Sequence, residues 1–189
     1  GIMVHLGDGD RIASTHRGHG HCIAKGVDVV GMMKEIYGKL GGACNGKGGS
    51  MHIADLSKGM MGANGILGAG APLVCGAALA AKYRKKGEVA VSFVGDGASN
   101  QGTFLESLNL AAVWNLPVIF VVENNGYAES TSRDYGVAVD SYVDRAAGFA
   151  QSSEPSVQEI TLYRRFLGFV PFSFIIVHSM NLVGVPSAL

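Results

Sequence analysis

The sequence predicts an α/β protein in which helices flank a parallel sheet. Short valine-rich runs alternate with longer stretches whose apolar residues recur at helical spacing, and glycine-rich loops separate them. The strand-like runs are almost entirely apolar, which is typical of strands buried on both faces of a parallel sheet. Glycine supplies 28 of the 189 residues. This is about twice the usual ~7%, and it favours loops whose backbone approaches a ligand closely.

The first predicted element is a helix over residues 27–40, with Asp28 near its start. Glu35 is expected to face away from the apolar stripe of this helix. A glycine-rich stretch follows over residues 41–70 and is too long for an ordinary connection, so a functional role is predicted for it. The apolar stripe consists of Val30, Met33, Ile36, Tyr37 and Leu40.

The next elements are a helix and then a strand–helix–strand unit. Apolar periodicity predicts helices over residues 74–85 and 104–114, and valine-rich composition predicts buried strands over 89–94 and 117–122. A strand, a helix and a second strand in this order predict two parallel strands joined by a right-handed crossover. The pattern continues to the end of the segment 1–149, which is therefore expected to form one domain.

Residues 150–189 differ from this domain. The glycine-rich loops stop there, and five aromatic residues fall within positions 163–174. This tail is predicted either to add a strand pair to the domain or to be foreign to it. No residue in the tail extends a motif seen upstream, so the tail is not expected to contribute to a ligand site.

Composition excludes several functional classes. Fifteen basic residues balance fifteen acidic ones, so binding to nucleic acid or to a membrane surface is not expected. Three cysteines without a C-x-x-C pair suit a reducing compartment, and a cytoplasmic location is predicted. Residues 1–12 lack the features of a signal peptide. The uncharged stretches 59–81 and 166–189 contain glycine, proline and polar residues, so neither is expected to span a membrane.

The motif Gly95-Asp96-Gly97 stands where the strand predicted over residues 89–94 ends. Twenty-six residues separate this motif from the pair Asn124-Asn125. A helix of about a dozen residues rises roughly 18 Å at ~1.5 Å per residue, and a six-residue strand returns roughly 20 Å at ~3.3 Å per residue. Asp96 and Asn125 are therefore expected side by side at the carboxyl ends of parallel strands, where open α/β sheets bind ligands.

A carboxylate and an amide carbonyl are hard oxygen ligands, which suit Mg²⁺ rather than zinc or copper. Mg²⁺ completes its octahedron with phosphate oxygens and water, and the amino end of the helix that begins after Gly102 favours an anion at the same place. The spacing therefore predicts a diphosphate–magnesium site. Two alternatives stay open. The two motifs are also frequent turn sequences, and a dinucleotide site is the closer rival, although neither Gly95-x-Gly97 nor the glycines over 65–70 fit G-x-G-x-x-G.

The two motifs together resemble the thiamine diphosphate motif. The sequence around them is similar to the alpha subunit of the thiamine diphosphate-dependent 2-oxo acid dehydrogenases and acetoin dehydrogenases. The similarity covers about residues 10–149, and residues 125–132 favour the acetoin branch. The segments that carry it are THRGHG (15–20), GKGGSMH (46–52), NGILGA (64–69) and ENNGY (123–127).

The resemblance implies a set of cofactor ligands, none of which is itself catalytic. Asp96, the Asn125 side chain and the backbone carbonyl of Tyr127 would bind Mg²⁺. Arg17 would grip the diphosphate, for which a guanidinium fork suits better than lysine. His16 would touch the cofactor where the family often has a tyrosine. The other implied contacts are through the backbone, from Gly65 and Leu67 to the aminopyrimidine ring and from Gly97 and Ala98 to the phosphates, with Gly95 beside them.

The activity that the resemblance implies is cleavage of the carbon–carbon bond beside a carbonyl in acetoin or a 2-oxo acid. The acyl unit would pass to a lipoyl group on an acyltransferase partner. A beta subunit would complete a heterotetramer and supply a carboxylate for the aminopyrimidine ring, because no glutamate of residues 10–149 is expected near that ring. The alternative is an inactive fragment that only assembles with a beta subunit.

The histidines and cysteines allow two interpretations. His16, His19 and His21 precede Cys22 in a dense cluster, which is expected to be an active-site loop because no second ligand pair follows to close a metal site. His52 is expected either to line the substrate entrance or to be solvated. The three cysteines, at positions 22, 44 and 75, are expected to be small buried hydrophobic residues.

Overall fold

A computed structural model describes residues 1–149, 157–159 and 172–178 of the chain. Its strands are β1 (Arg11–Thr15), β2 (Met60–Asn64), β3 (Ala90–Gly95), β4 (Val118–Asn124), β5 (Tyr127–Ala128), β6 (Thr131–Ser132), β7 (Val157–Glu159) and β8 (Phe172–His178). Six of them form one sheet in the order β2-β1-β3-β4-β8-β7, and every neighbouring pair in it is parallel. The other two, β5 and β6, form an antiparallel hairpin. The predicted parallel α/β class is confirmed.

The helices are α1 (His19–Ala24), α2 (Val29–Ile36), α3 (Gly70–Arg84), α4 (Gly102–Val113), α5 (Arg133–Gly136) and α6 (Tyr142–Ala147). The observed α3, β3, α4 and β4 begin and end within four residues of the predicted positions. Short 3-10 turns occupy residues 2–5, 49–51, 56–58 and 98–100. Of the helices in the described ranges, none has the length and apolar character needed to cross a membrane.

The glycine-rich stretch 41–70, for which the sequence predicted a functional role, is not one uninterrupted loop. It contains β2, which reads MMGAN and has no β-branched residue. The strand forms because it pairs with β1, with Ile12 opposite Met60 and Thr15 opposite Asn64. Strand propensity reflects fit to a sheet more than an intrinsic backbone preference, so this strand arises from its neighbour.

The sheet is covered on both faces, as its apolar strands require. Ile12 and Ala13 are adjacent in β1, yet they belong to different core clusters because successive strand residues point to opposite faces. On the face packed by α3 and α4, the rings of Phe104 and Phe120 meet edge to face at 5.7 Å. On the other face, Phe93 packs with residues of α1 and α2.

The α2 helix is shorter than predicted, and its apolar stripe faces outward. The side chain of Asp28 caps the helix by accepting from the Gly31 N–H at 2.6 Å, which agrees with its predicted place near the start. Met33 is 46% exposed and Leu40, beyond the end of the helix, is 89% exposed. Glu35 lies opposite the stripe, as predicted, but that side of the helix faces the interior and buries the carboxylate completely.

The strand order places a ligand crevice at one edge of the sheet. The chain leaves β1 for β2 on one side, whereas β3 lies on the other side of β1 and leads on to β4. Strand order therefore reverses between β1 and β3, and open α/β sheets bind ligands outside the carboxyl ends of the strands at such a point. The loop that carries Arg17 follows β1, and Asp96 follows β3.

The tail over residues 150–189 is described only at β7 and β8. These strands extend the sheet, since β8 pairs with β4 and places His178 level with Asn124. The division of the chain at residue 149 and the exclusion of the tail from the cofactor site stay predictions.

The orientation of α2 can be tested with two neighbouring methionines. Met32 is 4% exposed and belongs to the core, whereas Met33 is on the outward stripe. We expect Met32→Ala to lower the free energy of unfolding by about 2–5 kcal/mol, because it leaves a cavity in packed core. Met33→Ala is the matched control and is expected to change it by no more than about 0.5 kcal/mol. Urea denaturation measures both values, and an equal loss in the two variants would contradict the observed orientation.

Candidate functional site

Asp96 is the buried acid of the site. Its side chain is 2% exposed, and Oδ1 accepts a hydrogen bond from the Gly97 N–H at 2.9 Å. The Ser99 hydroxyl donates to the Asp96 backbone carbonyl at 2.6 Å and holds the turn in place. The other carboxylate oxygen, Oδ2, is buried and has no hydrogen-bond partner among the described residues. An unpaired buried carboxylate oxygen is costly, so this atom points to a cation or donor that completes the site.

The structure brings four predicted cofactor residues together around one cavity. The cavity has a volume of about 240 Å³ and lies between the loop after β3 and the segment 128–137. Asn100, Gln101 and Arg133 add polar groups to its wall. A space of this kind beside a buried carboxylate suits a small charged group together with a cation. The four predicted residues that line it are Leu67, Asp96, Gly97 and Ala98.

Gly97 allows the hairpin after β4 to close against the Asp96 loop. A Cβ atom at position 97 would lie 2.2 Å from the Ala128 Cβ, a separation that real Cβ atoms essentially never show. No other residue fits there without moving the hairpin. The glycine is therefore needed for close packing, which the sequence motif by itself does not reveal.

Asn125 and Tyr127 lie at the same edge of the sheet as Asp96 but outside the cavity wall. The strands β3 and β4 are parallel neighbours in which Gly95 pairs with Glu123. Asp96 and Asn125 therefore both lie just past paired strand ends, as the spacing predicted. The Asn125 Oδ1 accepts from the Tyr127 N–H at 3.1 Å, and both residues are exposed. Their roles as magnesium ligands stay predictions.

The remaining predicted residues surround this edge. Arg17 is exposed in the loop after β1. His16, beside it, is half-buried, and its Nδ1 has no partner among the described residues. Gly65 is exposed and lies against the imidazole of His52. These residues, like Gly95 at the end of β3, do not line the cavity, so their contacts with a cofactor stay predictions.

Glu35 organises the glycine-rich loop that faces the site. Its Oε2 accepts from the Cys44 and Gly46 N–H groups at 2.7 and 2.8 Å. Its Oε1 accepts from the Gly48 and Gly49 N–H groups at 2.6 and 3.1 Å. One carboxylate thereby satisfies four backbone donors of a segment without regular structure. Nothing in the local sequence predicted this, because the donors are backbone groups that any residue type carries.

These bonds decide the protonation of Glu35. Burial alone would raise its pKa, but the four N–H donors favour the ionised form, and the pKa ends below its ordinary value. The charged carboxylate is therefore the form that holds the loop. The same loop contacts the start of α1, since the Ser50 hydroxyl and the His19 Nε2 are hydrogen-bonded at 2.9 Å.

Arg133 is a residue of the cavity wall that sequence reasoning missed. Its guanidinium donates to the backbone carbonyls of Val139 and Asp140 and lies 5.6 Å from the centre of the Tyr142 ring. Asp134 pairs with it at 3.4 Å. These contacts connect the hairpin after β4 to α6. They depend on how a loop folds back on itself, so no spacing in the sequence announces them.

The histidine and cysteine predictions have mixed outcomes. Across the described part of the chain, no three His, Cys, Asp or Glu side chains cluster closely enough to hold a metal, and the loop interpretation of the histidines stays a prediction. Cys22 and Cys75 are buried as predicted, and burial raises the pKa of each thiol to about 11. Cys44 is only partly buried, and its thiol donates to the His52 carbonyl at 3.3 Å, so the prediction for Cys44 was wrong.

The fold and the site together define a parallel α/β domain with a buried, partly unpaired carboxylate at a strand end. A solved structure described as a thiamin diphosphate-dependent enzyme from Mycobacterium smegmatis has the same fold, with a TM-score of 0.54 at 17% identity. The match covers 94% of this chain and 30% of that one, and it confirms the predicted fold. Residues 1–153 match the family described as Dehydrogenase E1 component, and the chain belongs to that family.

Relatives of known function narrow the comparison within the family. The chain is 89% identical over 149 residues to the alpha subunit of an acetoin:2,6-dichlorophenolindophenol oxidoreductase from Cupriavidus necator. It is 67% identical to the protein of the same description from Bacillus subtilis, and 44% identical to the pyruvate dehydrogenase E1 component subunit alpha of Rhizobium meliloti. These matches cover 79% of this chain but only 43–45% of each relative, so the chain spans less than half their length.

The interaction of Glu35 with the loop can be tested through its pH dependence. Glu35→Gln is expected to lower the free energy of unfolding at pH 7, because an amide cannot accept from four donors as a carboxylate does. The folded pKa lies below the unfolded value, ordinarily about 4.3, so the stabilisation is complete above that pH. It is lost as the pH falls through the folded pKa.

Urea denaturation of both proteins from pH 7 downward measures the effect. The difference between wild type and Glu35→Gln is expected to shrink once the pH drops below about 4. Glu106→Gln is the matched control, because Glu106 is exposed on α4 and has little to lose. A difference that stayed constant with pH would show that the charge of Glu35 is not what holds the loop.

Proposed function

We propose that this chain is the cofactor-binding part of the alpha subunit of a thiamine diphosphate-dependent dehydrogenase component. The observation that carries the proposal is the buried, unpaired Oδ2 of Asp96 at the end of β3. In a chain of the Dehydrogenase E1 family, a cation held by this oxygen beside a diphosphate would account for it. The higher identity to the acetoin relatives supports acetoin as the substrate, with a 2-oxo acid second.

The residues present suit magnesium and a diphosphate. The Asp96 carboxylate, the Asn125 amide and the Tyr127 carbonyl offer hard oxygens, which Mg²⁺ prefers. Gly97 and Ala98 line the cavity, and the Ala98 N–H would donate to a phosphate oxygen. The Gly97 N–H would do so on leaving its hydrogen bond to the Asp96 Oδ1. Arg17 is exposed in the loop after β1, on the other side of the point where strand order reverses. Its guanidinium would bind the same anion. When bound, thiamine diphosphate supplies the carbanion-stabilising chemistry that protein side chains lack.

The other residues would orient the cofactor and the substrate. Backbone groups of Gly65 and Leu67 would hold the aminopyrimidine ring, and His16 would contact the cofactor beside Arg17. His52 lies against Gly65 and would line the substrate entrance beside that ring. The acyl unit would then pass to a lipoyl group on an acyltransferase partner. The free state of the cysteines at 22, 44 and 75 supports a cytoplasmic location.

The carboxylate that activates the aminopyrimidine ring is proposed to come from a beta subunit in a heterotetramer. Glu35 is fully occupied by four backbone donors. Glu88 pairs with Arg84 at 3.5 Å, and Glu123 lies 3.3 Å from His21. The other two glutamates of the domain, Glu106 and Glu129, are exposed on α4 and in the hairpin after β4.

The second candidate is an inactive fragment that only assembles with a beta subunit. The two candidates differ in cofactor binding and in turnover, and each is tested below.

Replacing Asp96 tests the cofactor site. Asp96→Ala is expected to weaken thiamine diphosphate binding about a hundredfold in Mg²⁺ and to abolish its Mg²⁺ dependence, because the only charged metal ligand is lost. Arg17→Ala is expected to weaken binding about tenfold, since Mg²⁺ still neutralises part of the phosphate charge. Calorimetric titration with and without Mg²⁺ measures both. Asp8→Ala, exposed before β1 at the opposite edge of the sheet, is the control. Unchanged affinity in Asp96→Ala would refute the site.

Adding a beta subunit tests the origin of the activating carboxylate. The purified chain is expected to bind the cofactor but not to oxidise acetoin, and a beta subunit of the same family is expected to restore turnover. Reduction of an artificial electron acceptor follows the reaction. Turnover by the chain alone would mean that the carboxylate is already present. Assembly with the beta subunit without turnover would favour the inactive fragment.

A further inference from the structure

We propose that His21 is a positioning residue that connects the two halves of the cofactor site, the Arg17 loop after β1 and the Asn125 loop after β4. The inference rests on the proposed function, because it assigns a purpose to a contact beside the proposed magnesium and diphosphate ligands. No sequence motif predicted this contact, since His21 stands out in the sequence only as part of a histidine cluster.

The imidazole of His21 contacts a residue beside each half. Its Nδ1 lies 2.6 Å from the Ser14 Oγ, and Ser14 is three residues before Arg17. Its Nε2 lies 3.3 Å from the Glu123 Oε1, and Glu123 is two residues before Asn125. One side chain therefore contacts a residue near the carboxyl end of each strand, just before the strand passes into a predicted ligand loop.

The sheet itself does not join these two places. In the strand order β1-β3-β4, the first and third strands are separated by β3 and share no hydrogen bond. Neighbouring strands are ~4.8 Å apart, so β1 and β4 lie roughly 10 Å from each other. His21 spans this gap by lying over β3, where its ring stacks on Phe93 with centroids 4.0 Å apart.

The hydrogen-bonding roles of the ring follow from its partners. A carboxylate only accepts, so the Nε2 that faces Glu123 carries the hydrogen. In the neutral imidazole, Nδ1 then accepts from the Ser14 hydroxyl, which fixes the orientation of the ring. Ser14 is 3% exposed, and Gly18 packs directly against it, since a Cβ at position 18 would lie 2.3 Å from the Ser14 Oγ.

The contact also keeps Glu123 in place beside a site that must accept an anion. The Glu123 side chain is 39% exposed, so without His21 it could rotate towards the diphosphate. A second negative charge there would repel the phosphate and compete for the cation. His21 thus orders the peptide that leads to Asn125 and holds a carboxylate away from the anion.

Two substitutions separate the contacts of His21. Asn places an amide near the Nδ1 position and retains the contact with Ser14, whereas Gln reaches the Nε2 position and retains the contact with Glu123. His21→Asn is expected to raise the Mg²⁺ concentration for half-maximal cofactor binding about tenfold. His21→Gln is expected to keep the Mg²⁺ requirement and to weaken thiamine diphosphate binding about tenfold at saturating Mg²⁺, through the Arg17 loop.

The measurements are calorimetric titrations of the 189-residue chain with thiamine diphosphate and with Mg²⁺, together with unfolding without ligand. His5→Asn and His5→Gln are the matched controls, because His5 is exposed in the first 3-10 turn. A merely structural role would shift both binding constants and the unfolding midpoint together in both variants. In a Glu123→Ala background, His21→Asn is expected to have no further effect on the Mg²⁺ requirement.

The outcomes distinguish this inference from the proposed function. If the wild-type chain binds no thiamine diphosphate, the proposed function is wrong and the inference falls with it. If wild type binds and both His21 variants keep its Mg²⁺ and cofactor affinities, the inference alone is overturned.

If the His21 variants do not fold, Glu123→Ala and Ser14→Ala decide. Glu123→Ala is expected to reproduce the Mg²⁺ shift of His21→Asn, and Ser14→Ala is expected to reproduce the cofactor effect of His21→Gln. Wild-type binding in both would overturn the connection. Glu123→Gln, which keeps an acceptor without the charge, is expected to stay closer to wild type than Glu123→Ala. Equal shifts in the two would overturn the positioning role, because the effect would then come from the charge of Glu123 and not from its contact with His21.

Discussion

The hydrogen bonds between the Glu35 carboxylate and the loop over residues 44–49 are the constraint on which the ligand-facing part of the structure depends. A glycine-rich segment has high conformational entropy and few side chains to pack, so it needs an external template to adopt one shape. A single buried anion provides that template by accepting from four N–H groups at once. The loop then presents Ser50 to His19 and brings His52 against Gly65. An apolar core alone could not order this loop, because its polar backbone would be left unsatisfied.

A second constraint is the meeting of parallel strand ends at one edge of the sheet. Since β3 and β4 are neighbours in register, Asp96 and Asn125 reach the same edge without any special loop. The strands are buried on both faces, which makes that edge rigid and would suit the proposed cation site. The hairpin after β4 closes over Asp96 because Gly97 has no side chain.

Charge is handled locally in a chain whose formal net charge is zero. Glu35 accepts hydrogen bonds from backbone N–H groups, Glu123 lies 3.3 Å from the His21 imidazole, and Arg133 donates to the backbone carbonyls of Val139 and Asp140. The buried Oδ2 of Asp96 has no hydrogen-bond partner among the described residues, and the same holds for the Arg133 Nε and the His16 Nδ1. Of these three atoms only Oδ2 belongs to an acid, so it is the one that would attract a cation.

The sequence by itself determined the elements whose signals are local and the motifs that lie between them. Periodicity and composition predicted the bounds of α3, β3, α4 and β4 to within four residues. The spacing between Asp96 and Asn125 placed both residues at one edge of the sheet, because helices and strands each have a fixed rise per residue. Only the tertiary structure decided the orientation of α2, the strand β2 and the contacts of His21 and Arg133. Their partners are backbone groups or side chains distant in sequence, and β2 is a strand only because β1 lies beside it. An apolar stripe ordinarily faces the core, but in α2 the opposite face lies inward, where Met32 packs in the core and the Glu35 carboxylate accepts from four N–H groups.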